Sequence, residues 1–178
     1  MGQPVRDWGH CPDSGALAGC RVPVDPRKME AEMARILYTA EATVTGGRQS
    51  GHGRTNDGAL DVQLRSPKEM GGEGGGTNPE QLFAAGYAGC FHSSLKVAAR
   101  GEGISLTGSE VAVTVGLIKG EGGFSLAVSI SADLPGVSPE QGEKLMALAH
   151  QRCPYSKATR GNIGVQLRLG RPAEAVTR

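Results

Sequence analysis

The sequence contains no long hydrophobic run and almost no net charge. No apolar stretch in its 178 residues approaches the roughly 20 residues that a membrane-spanning helix needs. Its 19 basic and 18 acidic residues leave a formal net charge of +1, and the lysines and arginines form no run. That balance provides no electrostatic basis for binding nucleic acid or an anionic membrane surface. We therefore expect a protein that associates with neither nucleic acid nor membrane.

The first thirty residues also lack the apolar central segment of a secretory signal. We therefore expect a cytoplasmic protein, in a compartment where thiols are kept reduced. Residues 1–33 show no hydrophobic period and predict a disordered or loosely attached tail, and Met29 and Met33 are alternative starts. We predict a short C-terminal tail at residues 171–178. The remaining residues, 34–170, are expected to form one folded domain.

Cysteine is scarce, with four residues, and a reducing compartment argues against a structural disulfide framework. Cys11 and Cys20 lie in the tail with a spacing that matches no zinc-binding pattern, so we expect them to be solvent-exposed bystanders. Cys90 and His92 are two residues apart on a predicted helix and face different directions. We therefore expect no metal site.

Hydrophobic periodicity predicts an α+β domain with a largely antiparallel sheet packed against two helices. Asn78 and Pro79 begin the first helix, and Ser138 and Pro139 begin the second. The second helix must end near Cys153, because Pro154 follows. The order is strand-strand-helix-strand-strand-helix-strand. Strands are predicted at residues 36–44, 60–64, 111–117, 124–130 and 163–169, with a polar Gly-rich connection at 46–58 and a hairpin turn at 119–123.

Each predicted helix carries one cysteine. Cys90 lies mid-helix on the apolar stripe and Cys153 lies at a helix end, so each is consistent with an inert core residue. A mid-helix position gives Cys90 no helix N-terminus to lower its pKa, so a reactive Cys90 needs a cation, for which arginine is suited. Two packed helices can bring the sulfurs within bonding range, although periodicity leaves this open.

The segments around these cysteines are more specific than the periodicity. Residues 77–91 read TNPEQLFAAGYAGCF, and residues 153–162 read CPYSKATRGN. Together with LYTA at 37–40 and the Gly46-Gly47-Arg48 turn, they resemble the organic hydroperoxide resistance (Ohr) proteins of the OsmC superfamily. The resemblance extends over residues 34–169.

This resemblance implies an OsmC-like fold and a thiol-dependent peroxidase for antioxidant defence. Cys90 would be the peroxidatic cysteine and Cys153 the resolving one, while Arg48 would stabilise the Cys90 thiolate and Glu80 would orient Arg48. Alkyl and fatty-acid hydroperoxides would be reduced to alcohols through a Cys90 sulfenic acid and a Cys90–Cys153 disulfide. The family further implies an intertwined homodimer, no bound cofactor, and recycling by a dithiol such as dihydrolipoamide or a lipoylated protein. Lys157 departs from the small polar residue that the family commonly has there.

Two alternatives share the fold. One is an OsmC-type peroxidase with a broader peroxide preference, although Phe83, Tyr87 and the Pro154-Tyr155-Ser156 segment favour the Ohr branch. The other is a non-catalytic redox sensor that uses the disulfide as a switch. A metal-binding protein is disfavoured by the cysteine spacings. The sequence also leaves open whether four apolar side chains line a substrate pocket or pack in the core: Leu82, Phe83, Tyr87 and Phe91.

Overall fold

The computed structural model describes residues 35–171. The tail predicted at residues 1–33, with Cys11 and Cys20, and residues 172–178 lie outside the described residues. The regular elements all fall in the unit that begins at Ala40. In chain order they are β1 (Ala42–Thr45), α1 (Gly47–Ser50), β2 (His52–Thr55), β3 (Asp61–Gln63), a 3₁₀ turn (Lys68–Met70), α2 (Pro79–Gly101), β4 (Glu110–Gly120), β5 (Gly123–Asp133), α3 (Pro139–Arg152), α4 (Pro154–Thr159) and β6 (Val165–Leu169).

The larger sheet contains β4, β5 and β6 in that order. β4 and β5 form the predicted antiparallel hairpin, in which Gly120 pairs with Gly123 around a two-residue loop. The backbone at Gly123 has a φ of 102°, which residues with a side chain rarely adopt. β6 lies parallel to β5, with Val165 opposite Val128. The connection through α3 and α4 is therefore a crossover. The larger sheet is mixed, with one antiparallel and one parallel pair of strands, whereas the sequence predicted a largely antiparallel one.

The smaller antiparallel sheet, β1-β2-β3, differs from the prediction for this region. The strand expected at residues 36–44 begins only at Ala42, and residues 35–41 have no regular structure. The connection predicted at 46–58 contains both α1 and β2. β2 was missed because its sequence, HGRT, has no hydrophobic alternation, and its one buried residue is Gly53. The strand predicted at 60–64 is the three-residue β3.

Capping fixes where the two longer helices begin, as predicted. At α2 the side chain of Asn78 accepts the N–H of Gln81 at 2.9 Å, and the Gln81 side chain accepts the N–H of Asn78 at 3.2 Å. At α3 the Ser138 hydroxyl accepts the N–H of Gln141 at 3.3 Å. α3 ends at Arg152, as Pro154 required, but that proline also occupies the first position of α4, which was not predicted.

The hydrophobic core lies between the larger sheet, α2 and α3. Tyr87, Phe91 and Leu95 recur every fourth residue along α2 and have no exposed surface. Tyr87 and Phe91 are therefore core residues, whereas Phe83 is only partly buried. Alternate residues of β5 and the inward face of α3 complete the cluster: Val128, Ile130, Ala132, Leu145, Met146, Ala149 and Cys153.

Within residues 35–171, none of the helices has the combination of length and apolar character that crossing a bilayer requires.

Candidate active site

Cys90 and Cys153 meet where α2 packs against the junction of α3 and α4. Both are free thiols, and their Sγ atoms lie 3.4 Å apart. Cys153 has no exposed surface, whereas Cys90 is only partly buried. Of the two residues, Cys90 is therefore the one that presents surface to a reagent arriving from solvent. A disulfide bond is about 2.05 Å long, so only a small displacement separates the two sulfurs from bonding distance once one of them has been oxidised.

Cys153 is held at the junction by its own backbone. It is the C-terminal cap of α3 and the N-terminal cap of α4. Its N–H donates to the carbonyl of Ala149 at 2.8 Å, and its carbonyl accepts the N–H of Lys157 at 2.9 Å. The position of its sulfur is therefore set by both helices.

Three influences act on the pKa of Cys90. Burial raises this pKa, a hydrogen bond from the backbone N–H of Tyr155 lowers it, and the neighbouring Cys153 thiol raises it again; the net pKa is above the ordinary value. Tyr155 is the second residue of α4. The sequence analysis expected no helix N-terminus to lower the pKa of Cys90, and it missed this influence because Tyr155 belongs to a different, unpredicted helix.

Arg48 and Glu80 form a second pair, between α1 and the first turn of α2. The two terminal nitrogens of Arg48 donate to the two carboxylate oxygens of Glu80 at 2.9 and 2.8 Å. These hydrogen bonds raise the pKa of Arg48 and lower that of Glu80, although desolvation opposes both shifts. The structure thus brings Arg48 and Glu80 together. Arg48 is not among the groups that shift the Cys90 pKa, so its action on the thiolate stays a prediction.

Three aromatic rings pack beside the cysteine pair. The ring of Phe83 meets that of Tyr87 edge-on at 5.8 Å and stacks on that of Tyr155 at 6.1 Å, and the rings of Tyr87 and Tyr155 are 5.6 Å apart. Tyr155 keeps 39% of its surface exposed. A Cβ at Gly86 would lie only 3.1 Å from the Tyr155 hydroxyl oxygen, so any larger residue there would require the ring to shift by a few tenths of an ångström. The rings form an apolar wall, of which Tyr87 lies three residues before Cys90 on α2.

A buried hydroxyl network ties α2 to α4 below this wall. The Tyr87 hydroxyl lies 2.9 Å from Oγ of Ser156 and 3.3 Å from Oγ1 of Thr159, and all three residues are buried. The sequence analysis assigned no hydrogen-bonding role to the Tyr87 hydroxyl. The available signal was the spacing of Ser156 and Thr159, which face the same way only if the segment after Pro154 is helical.

A cavity of about 770 Å³ lies between α2 and β4. Glu80 borders it, so it adjoins the Arg48–Glu80 pair. Apolar side chains such as Val115, Leu117 and Phe124 form much of its remaining surface. An apolar group can therefore be accommodated next to the ion pair.

In residues 35–171, no set of three or more His, Cys, Asp and Glu side chains is arranged to hold a metal ion. That the chemistry needs no metal stays a prediction.

Comparison with known proteins places this arrangement in a family. Residues 72–168 match the family described as OsmC-like protein. The chain is 49% identical over 142 residues to an organic hydroperoxide resistance protein of Xanthomonas axonopodis pv. citri, covering 78% of this chain and 99% of that one. A crystal structure of an organic hydroperoxide resistance protein from Legionella pneumophila is 46% identical, with a TM-score of 0.73 over 77% of this chain and 100% of that chain. The structure of OhrB of Bacillus subtilis is 43% identical, with a TM-score of 0.70 over 76% of this chain and 100% of that chain.

The chain therefore belongs to the OsmC family of α+β proteins. Several relatives within that family are named organic hydroperoxide resistance proteins. This is the group that the two cysteine motifs indicated. The family recognised from the sequence and the OsmC-like fold are both confirmed.

Proposed function

We propose that this protein is a two-cysteine peroxidase that reduces organic hydroperoxides to alcohols in antioxidant defence. The observation that carries the proposal is the pairing of a partly exposed thiol with a fully buried one, their sulfurs 3.4 Å apart. Cys90, which is only partly buried, is the cysteine that a substrate can approach. The buried sulfur, on Cys153, is close enough to trap the product of that attack before it is oxidised further.

In the first half of the reaction, the Cys90 thiolate attacks one peroxide oxygen. The O–O bond breaks, the alkoxide leaves and takes up a proton to become the alcohol, and Cys90 becomes a sulfenic acid. The Cys153 thiol then attacks the Cys90 sulfur. An S–S bond forms and the sulfenic oxygen departs as water. The hydroperoxide has gained two electrons, and the cysteine pair has lost them.

In the second half, an external dithiol restores both thiols by exchange. One reductant sulfur attacks the disulfide to give a mixed disulfide, and the second releases the protein while the reductant becomes a disulfide. Because Cys153 is buried and Cys90 is not, the mixed disulfide forms on Cys90. We propose a dihydrolipoyl group, on dihydrolipoamide or a lipoylated protein, as this reductant, following the resemblance of the two cysteine motifs.

Arg48 is proposed to favour the Cys90 thiolate and to polarise the peroxide. Burial raises the pKa of Cys90, so a nearby cation would increase the thiolate fraction near neutral pH. The guanidinium stays charged when partly buried, and its two hydrogen bonds to Glu80 fix its plane. Glu80 therefore has the role of orienting Arg48.

An organic substrate is favoured by the surroundings of Cys90. The wall of Phe83 and Tyr155 offers ring surface to an alkyl or aryl group, which hydrogen peroxide lacks. Exposed Lys157 lies two residues beyond Tyr155, where it adds a positive charge that the family commonly lacks.

We also propose that the protein is a homodimer, in which a second copy covers apolar surface left open in one chain. Phe124 is 66% exposed, Val44 is 53% exposed and Ile118 is 48% exposed. Phe124 also borders the cavity between α2 and β4. Large apolar side chains that one chain leaves exposed are typical of surfaces buried by a partner.

Comparing cumene hydroperoxide with hydrogen peroxide tests the proposed activity, with dihydrolipoamide as the reductant. We expect many turnovers and a kcat/KM at least roughly tenfold higher for the organic substrate. Equal values would favour the OsmC-type alternative. Consumption that stops after one equivalent of peroxide, with no turnover under any dithiol, would identify a redox sensor.

A further inference from the structure

The end of α3 has a carbonyl group that its own helix cannot satisfy. In a continuous helix the carbonyl of His150 would accept the N–H of the residue four positions on, but that residue is Pro154, which has no N–H. The backbone also turns away at Cys153, whose ψ of 124° is not helical. The partner of the His150 carbonyl must therefore come from outside α3.

The side chain of Arg160 provides that partner. Its guanidinium nitrogen Nη2 donates to the backbone carbonyl of His150 at 2.9 Å. Arg160 itself is the C-terminal cap of α4, where its backbone N–H donates to the carbonyl of Ser156 at 3.1 Å. A guanidinium at a helix C-terminus also faces the negative end of the helix dipole, which favours the contact. The main chain of Arg160 therefore belongs to the end of α4, while its side chain is attached to the end of α3.

This contact closes a loop of chain around Cys153. Residues 150–160 include the last residues of α3, the junction at Cys153 and all of α4. The backbone torsion angles of Cys153 set the angle between the two helices, and they also set the direction in which its side chain leaves the backbone. A bond that joins the far end of α4 to α3 therefore restricts where the Cys153 sulfur can lie.

The sulfur of Cys153 lies 3.4 Å from that of Cys90, and disulfide formation tolerates little error in the separation and direction of the two side chains. Rotation at the junction would move the Cys153 sulfur relative to α2, which carries Cys90. A fixed angle between α3 and α4 therefore favours the arrangement from which the disulfide forms.

We propose that Arg160 is a positioning residue, which replaces the N–H that Pro154 lacks and so holds the α3–α4 junction with the Cys153 sulfur beside that of Cys90. This inference extends the proposed function, because it concerns the step in which Cys153 captures oxidised Cys90. Arg160 is exposed and lies outside the hydrophobic core, so its replacement should leave the fold intact.

The test is the equilibrium of the cysteine pair with glutathione. Oxidised glutathione takes two electrons from Cys90 and Cys153, which form the disulfide, and two molecules of reduced glutathione are released. The equilibrium constant measures the effective concentration of one protein thiol at the other. Mass spectrometry of the linked Cys90 and Cys153 peptides gives the oxidised fraction without interference from Cys11 and Cys20.

Arg160→Ala should lower this constant roughly three- to tenfold, the range that the loss of one hydrogen bond produces. Arg160→Lys keeps a cationic donor without the planar guanidinium and should recover part of the loss. Both variants are measured well below their thermal midpoints, so that a change in global stability does not enter the result.

Arg152→Ala is the matched control, since Arg152 is an exposed arginine in the last turn of α3. It should keep the wild-type constant. If Arg160→Ala also keeps it, or if Arg152→Ala lowers it equally through loss of charge, the inference is overturned. Glutathione replaces the hydroperoxide here, so the expected pattern in a protein that reduces no hydroperoxide would refute the proposed activity and still support the role of Arg160.

Discussion

The thiol of Cys153 donates a hydrogen bond to the sulfur of Cys90 across 3.4 Å, although 63 positions of sequence separate the two residues. α2 carries one sulfur and the junction of α3 and α4 carries the other. The core that joins these helices to the larger sheet therefore also determines the distance over which a disulfide would form.

Removal of the buried thiol should expose Cys90 to over-oxidation. In Cys153→Ser the sulfenic acid on Cys90 has no protein thiol beside it, so excess cumene hydroperoxide should convert it to the sulfinic acid. Mass spectrometry of the Cys90 peptide after a peroxide titration measures this conversion. The wild-type chain, treated in parallel, should instead accumulate the disulfide. Sulfinic acid at equal levels in both proteins would show that Cys153 does not protect Cys90.

The activity should depend on both the positive charge and the planar guanidinium of Arg48. Arg48→Ala should lower kcat/KM for the hydroperoxide by roughly tenfold or more, since one unit of thiol pKa is worth a factor of ten in thiolate. Arg48→Lys should recover part of the loss, because it keeps the charge but not the two parallel hydrogen bonds to Glu80.

Arg54→Ala is the control for these variants, since Arg54 is an exposed arginine on the neighbouring strand β2. It should retain wild-type kinetics. An Arg48→Ala protein as fast as the Arg54→Ala protein would remove Arg48 from the mechanism.

The sequence motifs and the helix caps allowed part of this site to be predicted. The cap residues Asn78 and Ser138 fix the start of α2 and α3, because their side chains meet specific backbone N–H groups that local sequence determines. The two cysteines fall within motifs specific enough to pair them. Tyr155 was not predictable as a donor, because its N–H acts through the helix α4, which was read only as the stop imposed by Pro154.

The small sheet shows the other limit. β2 pairs its backbone with β1 and β3 but buries almost no side chains, so its residues carry no alternating pattern. Conversely, Ile36 and Tyr38 alternate like a strand and are exposed outside regular structure. Hydrophobic periodicity predicts which side chains are buried, so it misses a strand that buries few of them.

Because of Glu80, the free energy of unfolding should decrease as the pH falls into the acid range. Its hydrogen bonds to Arg48 hold the pKa of the folded carboxyl below its ordinary value, so their contribution is full above the unfolded pKa. This contribution is lost as pH falls from about 4.5 through the lower folded value. Urea unfolding at several pH values between about 3 and 6 should therefore show a smaller pH dependence for Glu80→Gln than for the wild type.

Glu121→Gln, in the exposed loop between β4 and β5, provides the comparison for this series. It should keep the wild-type dependence on pH. If Glu80→Gln did so as well, the Arg48–Glu80 pair would contribute nothing to acid stability.

A dimer should dissociate when its apolar surface is charged. The proposed dimer predicts a solution mass twice that of the chain, measured by light scattering after size-exclusion chromatography. Phe124→Asp places a carboxylate on surface that the partner would bury, and should shift the protein toward the single-chain mass. Phe124→Tyr keeps the ring and should remain dimeric. A single-chain mass for the wild-type protein would contradict the proposal directly.

The most direct test of the two-cysteine mechanism is steady-state turnover of tert-butyl hydroperoxide with dihydrolipoamide, in the wild-type protein, Cys90→Ser and Cys153→Ser. The account predicts sustained turnover in the wild type, none in Cys90→Ser, and a single oxidation followed by a stall in Cys153→Ser. Turnover at the wild-type rate in Cys90→Ser would contradict it, because the reaction would then proceed without the nucleophile on which every step depends.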